Sequence, residues 1–274
     1  MGAAPPSTST AARTTWWPLQ WDSDFFAIRI GRIELRGTDP VELARAEVDA
    51  VADGIRCLYA EVDAADVHLL DLAQRRGYRV VDVALHLTHD SSSLEHPLAA
   101  PAPVRIRPGT PEDVPRLEDH LMAIAPWSRF AADPRFGPAA AAALHRSWVR
   151  RAAEGTGGRR LLVAEDARGR PIGLSTLAVD PDHAPVAPTP AGSHRRIDLI
   201  ATTRPGSGAA RELVRAAFAH FGPGPSVGGP IAARNVASLR FSEQLGYRVG
   251  ATRCHLHRWL DEPPTHDAPA AGPR

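Results

Sequence analysis

The stretch that decides the fold is IDLIATTRPGSGAARELVRAAFAHF, residues 197–221. Its first residues are mostly apolar and are typical of a buried strand. Pro205, Gly206 and Gly208 follow, and glycines at such a junction are typical of a tight turn. The next apolar residues recur at the spacing of one helix face; they are Ala210, Leu213, Val214, Ala217, Phe218 and Phe221. The stretch therefore predicts a strand, a glycine turn and an amphipathic helix in direct succession.

The glycine turn, Gly206-Ser207-Gly208, is a candidate anion-binding site. Glycine adopts positive φ at low cost and lets a ligand approach the backbone. The N–H groups and the dipole at the start of a helix attract phosphate, and Arg204 and Arg211 flank the turn as phosphate partners. A plain strand-to-helix turn is the alternative, since Gly-x-Gly alone is a weak motif. No Gly-Lys-Ser/Thr follows, which excludes a Walker loop, and the third glycine of a dinucleotide fingerprint is missing.

Strands and helices alternate on both sides of this stretch, which predicts a mixed α/β sheet. After the Ser- and Pro-rich segment 90–103, we predict strands over 104–107, 160–166, 172–179, 196–202, 227–232 and 247–259 and helices over 139–153, 208–221 and 235–244. Thr110 and Pro111 favour a further helix start. Before that segment, we predict strands over 32–36, 55–62 and 78–87 and helices over 41–52 and 66–76.

Composition excludes several classes of function. The 274 residues are 43% apolar and 23% charged, which is enough for a buried core. The formal net charge of +1 is too balanced for a general nucleic-acid or membrane-surface binder. No run of about 18 apolar residues predicts a membrane span, and the two cysteines, Cys57 and Cys254, predict no disulfide framework. We therefore expect a cytoplasmic protein that binds neither nucleic acid nor membrane.

The low-complexity segments predict the domain organisation. Residues 1–14 and 261–274 are rich in Pro and Ala and predict disordered tails. The linker 90–103 then separates an N-terminal part, 15–89, from a larger domain, 104–260. The segment QRRGYRV at 74–80 is echoed by EQLGYRV at 243–249, which indicates that the two parts share a helix–Gly–strand unit, although chance similarity is the alternative.

Three motifs in a fixed order resemble the GNAT superfamily of N-acetyltransferases. They are VRIRPGTPEDV at 104–114, the glycine turn, and NVASLRFSEQLGY at 235–247. The resemblance implies a mixed central sheet of GNAT type with a degenerate, half-size α/β domain before it. With WDSDFF at 21–26 and SRF at 128–130, the chain also resembles the TDP-fucosamine acetyltransferase group, which acetylates the amine of a nucleotide-linked amino sugar.

The resemblance implies that acetyl-CoA is the cosubstrate and that the glycine turn holds its pyrophosphate. The strand before the turn would line the pantetheine arm, with a backbone N–H near residues 200–202 on the thioester carbonyl. The residues that this assigns to the cofactor are Ile200, Ala201, Thr202, Arg204, Gly206, Ser207, Gly208, Ala209, Arg211 and Asn235. Thr203 stands where the family usually has Arg or Gln, so the phosphate contacts depart from the pattern.

The catalytic groups that the resemblance implies are incomplete. In the family a tyrosine on the last helix commonly protonates the leaving thiolate, and the matching position is Phe241, which has no hydroxyl. Asp198 is the candidate base, with a surface ion pair to Arg195 or Arg196 and a water relay as alternatives. We expect an active N-acetyltransferase; the alternative is a non-catalytic acyl-CoA-binding or regulatory module.

The acceptor is expected to be a small-molecule amine. The residues assigned to it are Phe25, Phe26, Arg129 and Phe130. A core position is the alternative for the aromatic pair at 25–26, and a solvated position is the alternative for Arg129. His255 and His257 lie beside Cys254 without a complementary ligand cluster in the sequence, so we expect no metal site. A homodimer and a longer acyl chain are left open.

Overall fold

The computed structural model describes residues 14–35, 37, 39–90, 103–179, 195–222 and 225–262. Contacts divide the chain into two compact units, residues 1–80 with 254–274 and residues 81–253. Both boundaries fall inside strands, Arg79–Asp90 and Arg248–Trp259, whereas the sequence places its domain boundary in the linker 90–103. Most of that linker, the Pro-rich run 180–194 and most of both predicted tails lie outside the described residues.

The first unit is a small α/β arrangement. Its elements are β1 (Thr15–Pro18), α1 (Gln20–Phe26), β2 (Ile30–Glu34), α2 (Pro40–Ala52), β3 (Cys57–Asp63), α3 (Val67–Arg75) and the last part of β10 (Arg248–Trp259). Strand β1 pairs antiparallel with β2, and β2 pairs parallel with β3. Helix α2 begins where the sequence predicts, because Asp39 accepts the Val41 N–H at 2.8 Å and Pro40 occupies the first turn.

The second unit carries the larger part of the sheet. Its elements are β4 (Arg79–Asp90), β5 (Arg105–Pro108), α4 (Glu118–Ile124), α5 (Arg129–Ala132), α6 (Gly137–Ala153), β6 (Arg159–Glu165), β7 (Pro171–Val179), β8 (Arg195–Thr202), α7 (Ala209–Phe221), β9 (Pro225–Ala232), α8 (Val236–Gln244) and the first part of β10. The hydrogen-bonded order is β4-β9-β8-β7-β6-β5. Among the described strand pairs in this order, β8 and β9 are parallel and the other neighbours are antiparallel. The predicted mixed α/β sheet is confirmed.

Helices cover both faces of this sheet, as strand alternation requires. Leu161 and Val163 of β6 are buried against α4 and α6, while the alternate residues Leu162 and Ala164 pack against α7. The predicted stripe of α7 is buried at five positions, Leu213, Val214, Ala217, Phe218 and Phe221. Burial of this stripe fixes α7, and with it the glycine turn, against β7 and β8.

The segment after Thr110 and the elements before β2 differ from the sequence-based expectations. The segment that follows Thr110 begins as expected, with Thr110 as N-cap in a capping box with Asp113, yet Pro111–Leu117 is a 3-10 helix. Pro115 lies inside it and lacks an N–H, so a regular α-helical turn cannot form there. The short elements β1 and α1 were not expected as elements, because four and seven residues carry too little periodicity.

The sequence echo corresponds to two similar local units, α3 with β4 and α8 with β10. Asp66 caps α3 by accepting the Leu69 N–H at 3.0 Å, and Asn235 caps α8 by accepting the Ser238 N–H at 3.2 Å. Gly77 and Gly246 end the two helices with φ of 83° and 88°. The two copies therefore use the same capping chemistry at both helix ends.

Two further observations concern the environment of the chain. No helix in the described part combines the length and the apolar character that crossing a bilayer needs. Cys57 and Cys254 are both buried free thiols.

Candidate active site

Strands β8 and β9 separate after a short parallel contact. Within the described residues they pair only at Arg196–Val227 and Ile197–Gly228. At this contact a Cβ on Gly229 would lie 2.6 Å from the Asp198 carbonyl oxygen, so only glycine fits there. The next residue, Pro230, has no N–H to continue a ladder. A gap therefore opens between the carboxyl ends of two neighbouring parallel strands, which we call the β8–β9 gap.

The residues of β8 along the β8–β9 gap come from the set assigned to the cofactor. Ala201 is buried in the cluster under α4 and α6, while Ile200 packs against the clusters under α7. Thr202 is partly buried at the end of the strand. Beyond the short contact, the edge of β8 that faces β9 offers backbone groups to an extended ligand.

Asp198 lies at an irregularity of β8. In the ladder with β7, Ile197 is opposite Leu177 and Leu199 is opposite Thr176, which leaves Asp198 as an extra residue. Its carboxylate pairs with the Arg196 guanidinium and lies 3.8 Å from Arg159 Nε. The predicted ion-pair alternative is thus present, and a role as base remains a prediction.

The glycine turn has the conformation that the sequence predicts. Gly206 and Gly208 have φ of 77° and 80°, a region that other residues seldom adopt. The N-cap, Gly208, has no side chain, and the Ser207 hydroxyl accepts the Ala209 N–H at 3.4 Å. A Cβ on Gly206 would meet no atom within 4 Å, so the turn is open on that side. This is the geometry of an anion site at a helix start.

The two arginines beside the turn have different surroundings. Arg204 Nη1 lies 3.2 Å from Asp166 Oδ2, and Asp166 also pairs with Arg170 at 2.8 Å. Hydrogen bonds from Arg170 lower the pKa of Asp166, so this carboxylate is charged at neutral pH. Arg204 is thereby tied to the turn between β6 and β7, and Arg211 is partly buried in the first turn of α7.

The residues expected on α8 have structural roles in the described contacts. Asn235 caps the helix through the Ser238 N–H, as above. Phe241 is partly buried and packs against the cluster that contains Phe218 and Phe221. Position 241 therefore presents an apolar ring and no proton donor.

The residues expected to bind the acceptor lie in both units. In α1, Phe25 stacks on Trp21 at 5.4 Å between ring centroids and meets Phe26 edge-on at 4.9 Å. In the second unit, Phe130 is 2% exposed, and its ring supports the Arg129 guanidinium at 4.8 Å. Phe130 therefore positions Arg129 rather than offering a surface itself.

The segment from α4 to the 3-10 turn Ala125–Trp127 contacts the residues just after β8 and just after β9. Near its start, His120 Nε2 lies 3.2 Å from the Thr203 hydroxyl, directly after β8. Burial lowers the pKa of His120, so the imidazole is neutral at pH 7. At its other end, Arg234 donates from Nη2 to the Pro126 carbonyl at 2.9 Å and lies over the Trp127 ring at 5.4 Å. This segment therefore borders the carboxyl-end side of the β8–β9 gap.

Asp82 is a residue of this region that the sequence reasoning missed. The β4–β9 ladder continues past its last strand pair, because the Ala233 N–H donates to the Val83 carbonyl at 2.7 Å. Just beyond this bond the chain turns, since the Asn235 N–H donates to the Ala232 carbonyl, and Arg234 in that turn lies close enough to Asp82 for its charge to act on the carboxyl. Burial raises the pKa of Asp82 to about 6, against the opposing effect of Arg234 and Arg129. The available signal was a lone carboxylate within the apolar strand VVDVAL, residues 80–85.

Solved structures with the same arrangement identify the fold. A functionally unknown conserved protein from Staphylococcus epidermidis aligns with a TM-score of 0.61 at 12% identity, covering 92% of this chain and 93% of its own. A GCN5-related N-acetyltransferase from Kribbella flavida aligns at 0.54 and 18% identity, covering 90% and 87%. Another from Sphaerobacter thermophilus aligns at 0.52 and 15% identity, covering 89% and 76%.

The chain has the GNAT fold. This confirms the fold class that the motif order implied, a GNAT-type sheet. No family model matches the sequence, and no curated protein matches it. The comparisons give no support for the TDP-fucosamine acetyltransferase group, and at these identities they concern the fold and leave the substrate open.

Proposed function

We propose that the protein is an acetyl-CoA-dependent N-acetyltransferase that acts on a small-molecule amine. The observation that carries the proposal is the β8–β9 gap leading directly into the glycine turn. The free edge of β8 suits an extended chain with amide groups, which is the chemistry of the pantetheine arm. The glycine turn at the start of α7 suits a pyrophosphate. An acyl-CoA molecule needs both features in this order.

We relate the arrangement to the chemical steps that acetyl transfer needs. A backbone N–H of β8 near residues 200–202 would polarise the thioester carbonyl, as the family resemblance implies. The amine must lose a proton before it attacks, and the thiolate must leave. Since a free thiol has a pKa near 8.5, thiolate is a tolerable leaving group without an acid at position 241. A nucleotide-linked amino sugar is the acceptor that the sequence resemblance favours.

Thermal unfolding with acetyl-CoA, followed by thiol release with a panel of amines, tests the proposal. At about 100 times its dissociation constant, acetyl-CoA should stabilise the fold by about 2.7 kcal/mol. The amine panel includes TDP-amino sugars and simple amines, and thiol release should occur with at least one of them. The absence of any thermal shift would contradict the proposal at its first step.

A non-catalytic acyl-CoA-binding module is the second candidate, and the apolar ring of Phe241 favours it. The variant Phe241→Tyr separates the two. In an active enzyme the added hydroxyl should raise kcat, because a positioned acid contributes up to about 10²–10⁴-fold. In a binding module, thiol release should stay at the background rate in both proteins while acetyl-CoA still binds.

A further inference from the structure

We propose that Asp82, Arg234 and Trp127 form the acceptor site, and that the acceptor carries both an amine and an anionic group, a carboxylate or a phosphate. This inference rests on the proposed acetyltransferase function. It goes beyond that function because it names the residues that bind the acceptor and the chemistry they select.

The position of the three residues favours an acceptor site. Strands β8 and β9 are parallel where they pair, so their carboxyl ends lie at the same edge of the sheet. The segment from His120 to Trp127 connects Thr203, just after β8, with Arg234, just after β9. In open α/β sheets, ligands bind at the carboxyl ends of strands, where neighbouring connections diverge.

Arg234 is held in an orientation suited to an anion. Its guanidinium lies over the Trp127 ring and donates one hydrogen bond to the Pro126 carbonyl, which fixes the plane of the fork. A guanidinium has five N–H donors, so this contact leaves donors for a planar anion. Arg129 adds a second positive charge near Asp82. Carboxylate and phosphate are the anions that such forks bind in bidentate fashion.

Asp82 provides the opposite charge beside this cation. A site that presents a guanidinium near a carboxylate complements a molecule with an anionic group and an ammonium. Trp127, at 40% exposure, provides an apolar ring beside Arg234. An amine that lacks an anionic group would contact only the carboxylate half of this site.

Asp82 also has the environment of a base. The charged groups that act on its carboxyl are Arg234, just after β9, and Arg129, at the start of α5, and both lower its pKa. Burial outweighs them and raises the pKa to about 6. The carboxyl is therefore ionised at pH 7 and yet more basic than an ordinary aspartate, which suits proton transfer.

The reaction then balances as follows. The Asp82 carboxylate takes one proton from the acceptor ammonium, and the amine lone pair forms the C–N bond to the thioester carbon. The C–S bond breaks as the tetrahedral intermediate collapses, its nitrogen loses a second proton, and the thiolate takes up one proton. Asp82 releases its proton to water. The products are the amide, coenzyme A thiol and one proton.

Four probes test the recognition part by thermal shift and by acetylation kinetics. Glucosamine 6-phosphate and γ-aminobutyrate carry an amine with a phosphate or a carboxylate, while glucosamine and glucose 6-phosphate each lack one group. At least one of the first two should bind about tenfold more tightly than either of the last two, and which one it is identifies the anion. Arg234→Gln should raise the Kd and KM for that probe about tenfold and leave glucosamine unchanged, with Arg234→Lys intermediate.

The proton-transfer part is tested by pH profiles. The wild-type kcat/KM should rise with pH through about 6, as Asp82 ionises. Asp82→Asn should lower kcat about 100-fold and remove this rise, whereas Asp82→Glu should restore it. Asp71 and Arg75 form an exposed pair on α3, so Asp71→Asn and Arg75→Gln are matched controls. Neither control variant should change the probe affinity, kcat or the pH profile.

The outcomes separate this inference from the proposed function. Absence of acetyl-CoA binding defeats the proposed function. If acetyl-CoA binds, equal affinity for all four probes overturns the acceptor site, even without turnover. Turnover with an unchanged pH profile in Asp82→Asn overturns the role of Asp82, and loss of that profile in Asp198→Asn alone assigns the base to Asp198.

Discussion

At the scale of single residues, Arg107 shows how one side chain joins three segments of the second unit. Its guanidinium donates to both oxygens of Asp113 at 2.7 Å and, through Nε, to Glu165 at 2.9 Å. The Asp113 and Glu165 side chains are almost fully buried, at 5% and 7% exposure. The same Asp113 carboxylate accepts the Thr110 N–H at 2.9 Å. Strand β5, the 3-10 segment and β6 are thus held by one charged group.

Removal of the Arg107 guanidinium should destabilise the fold. Arg107→Met leaves two buried carboxylates without their cation, and we expect a loss of about 3 kcal/mol of unfolding free energy at pH 7. The hydrogen bonds from Arg107 lower the pKa of Asp113. The stabilisation is therefore full above the unfolded pKa of about 4 and is lost as the pH falls through the folded pKa.

Urea unfolding at pH 7 and at acid pH measures this effect. The control is Arg75→Met, which breaks the exposed pair with Asp71 and should change stability by about 0–1 kcal/mol. An equal loss for both variants, or a loss for Arg107→Met that grows as the pH falls, would show that the buried group does not act in this way.

At the scale of elements, a substitution at the start of α7 tests whether the conformation of the glycine turn is needed for binding acetyl-CoA. Gly206→Val places a branched side chain at φ of 77°, which costs about 1–2 kcal/mol. No atom lies within 4 Å of the new Cβ, so the variant does not clash with the protein. We expect a turn that relaxes to another conformation and an affinity for acetyl-CoA that falls at least tenfold.

Calorimetric titration with acetyl-CoA checks this, with Gly155→Val as the matched control. Gly155 follows α6, has φ of 73° and is equally free of neighbours within 4 Å. The control should lose similar stability and keep its affinity. If both variants bind acetyl-CoA like the wild type, the glycine turn does not hold the cofactor.

At the scale of the whole molecule, β4 matters because it is encoded before the linker and belongs to the second unit. Residues 81–90 pair with β9, and Leu87 is part of the cluster under α7. His89 lies 4.8 Å from the Phe218 ring and 4.9 Å from the Tyr247 ring, and its Nε2 is 3.0 Å from the Leu245 carbonyl oxygen. A domain cut at the linker would lose all of these contacts.

The fragment 104–262 should therefore not fold into a stable unit. Without β4, the backbone of β9 is left as an open edge and the cluster under α7 loses one side. Far-UV circular dichroism during heating should show no cooperative transition for the fragment, in contrast to the full-length chain. A fragment with the melting temperature of the intact protein would show that 104–260 is a self-sufficient domain.

The sequence predicted the elements well because their signals are local. The stripe of α7, the caps at Asp39 and Asp66 and the glycines at 206 and 208 all act within a few residues. Each predicted helix and strand boundary that depends on such a signal lies within a few residues of the structure. The exception at Pro111–Leu117 arises because Pro115 interrupts an otherwise valid start.

The candidate site was less predictable because its parts are far apart in sequence. The bond between Val83 and Ala233 joins residues separated by most of the second unit, and no periodicity reports such a register. Asp82 therefore went unnoticed, while Arg129 was singled out. Asp198 was noticed, but its pairing with Arg196 depends on a bulge that the sequence does not reveal.

The segment from His120 to Trp127, which contacts the residues just after β8 and just after β9, has an evolutionary consequence. The proposed donor recognition depends on residues 197–211, whereas the proposed acceptor recognition depends on positions 82, 127 and 234. Mutations at those three positions leave the proposed donor residues untouched, so under this proposal selection can change which amine is modified while the acetyl donor stays the same. Chains that share this fold and diverge at these positions are therefore expected to differ in substrate before they differ in chemistry.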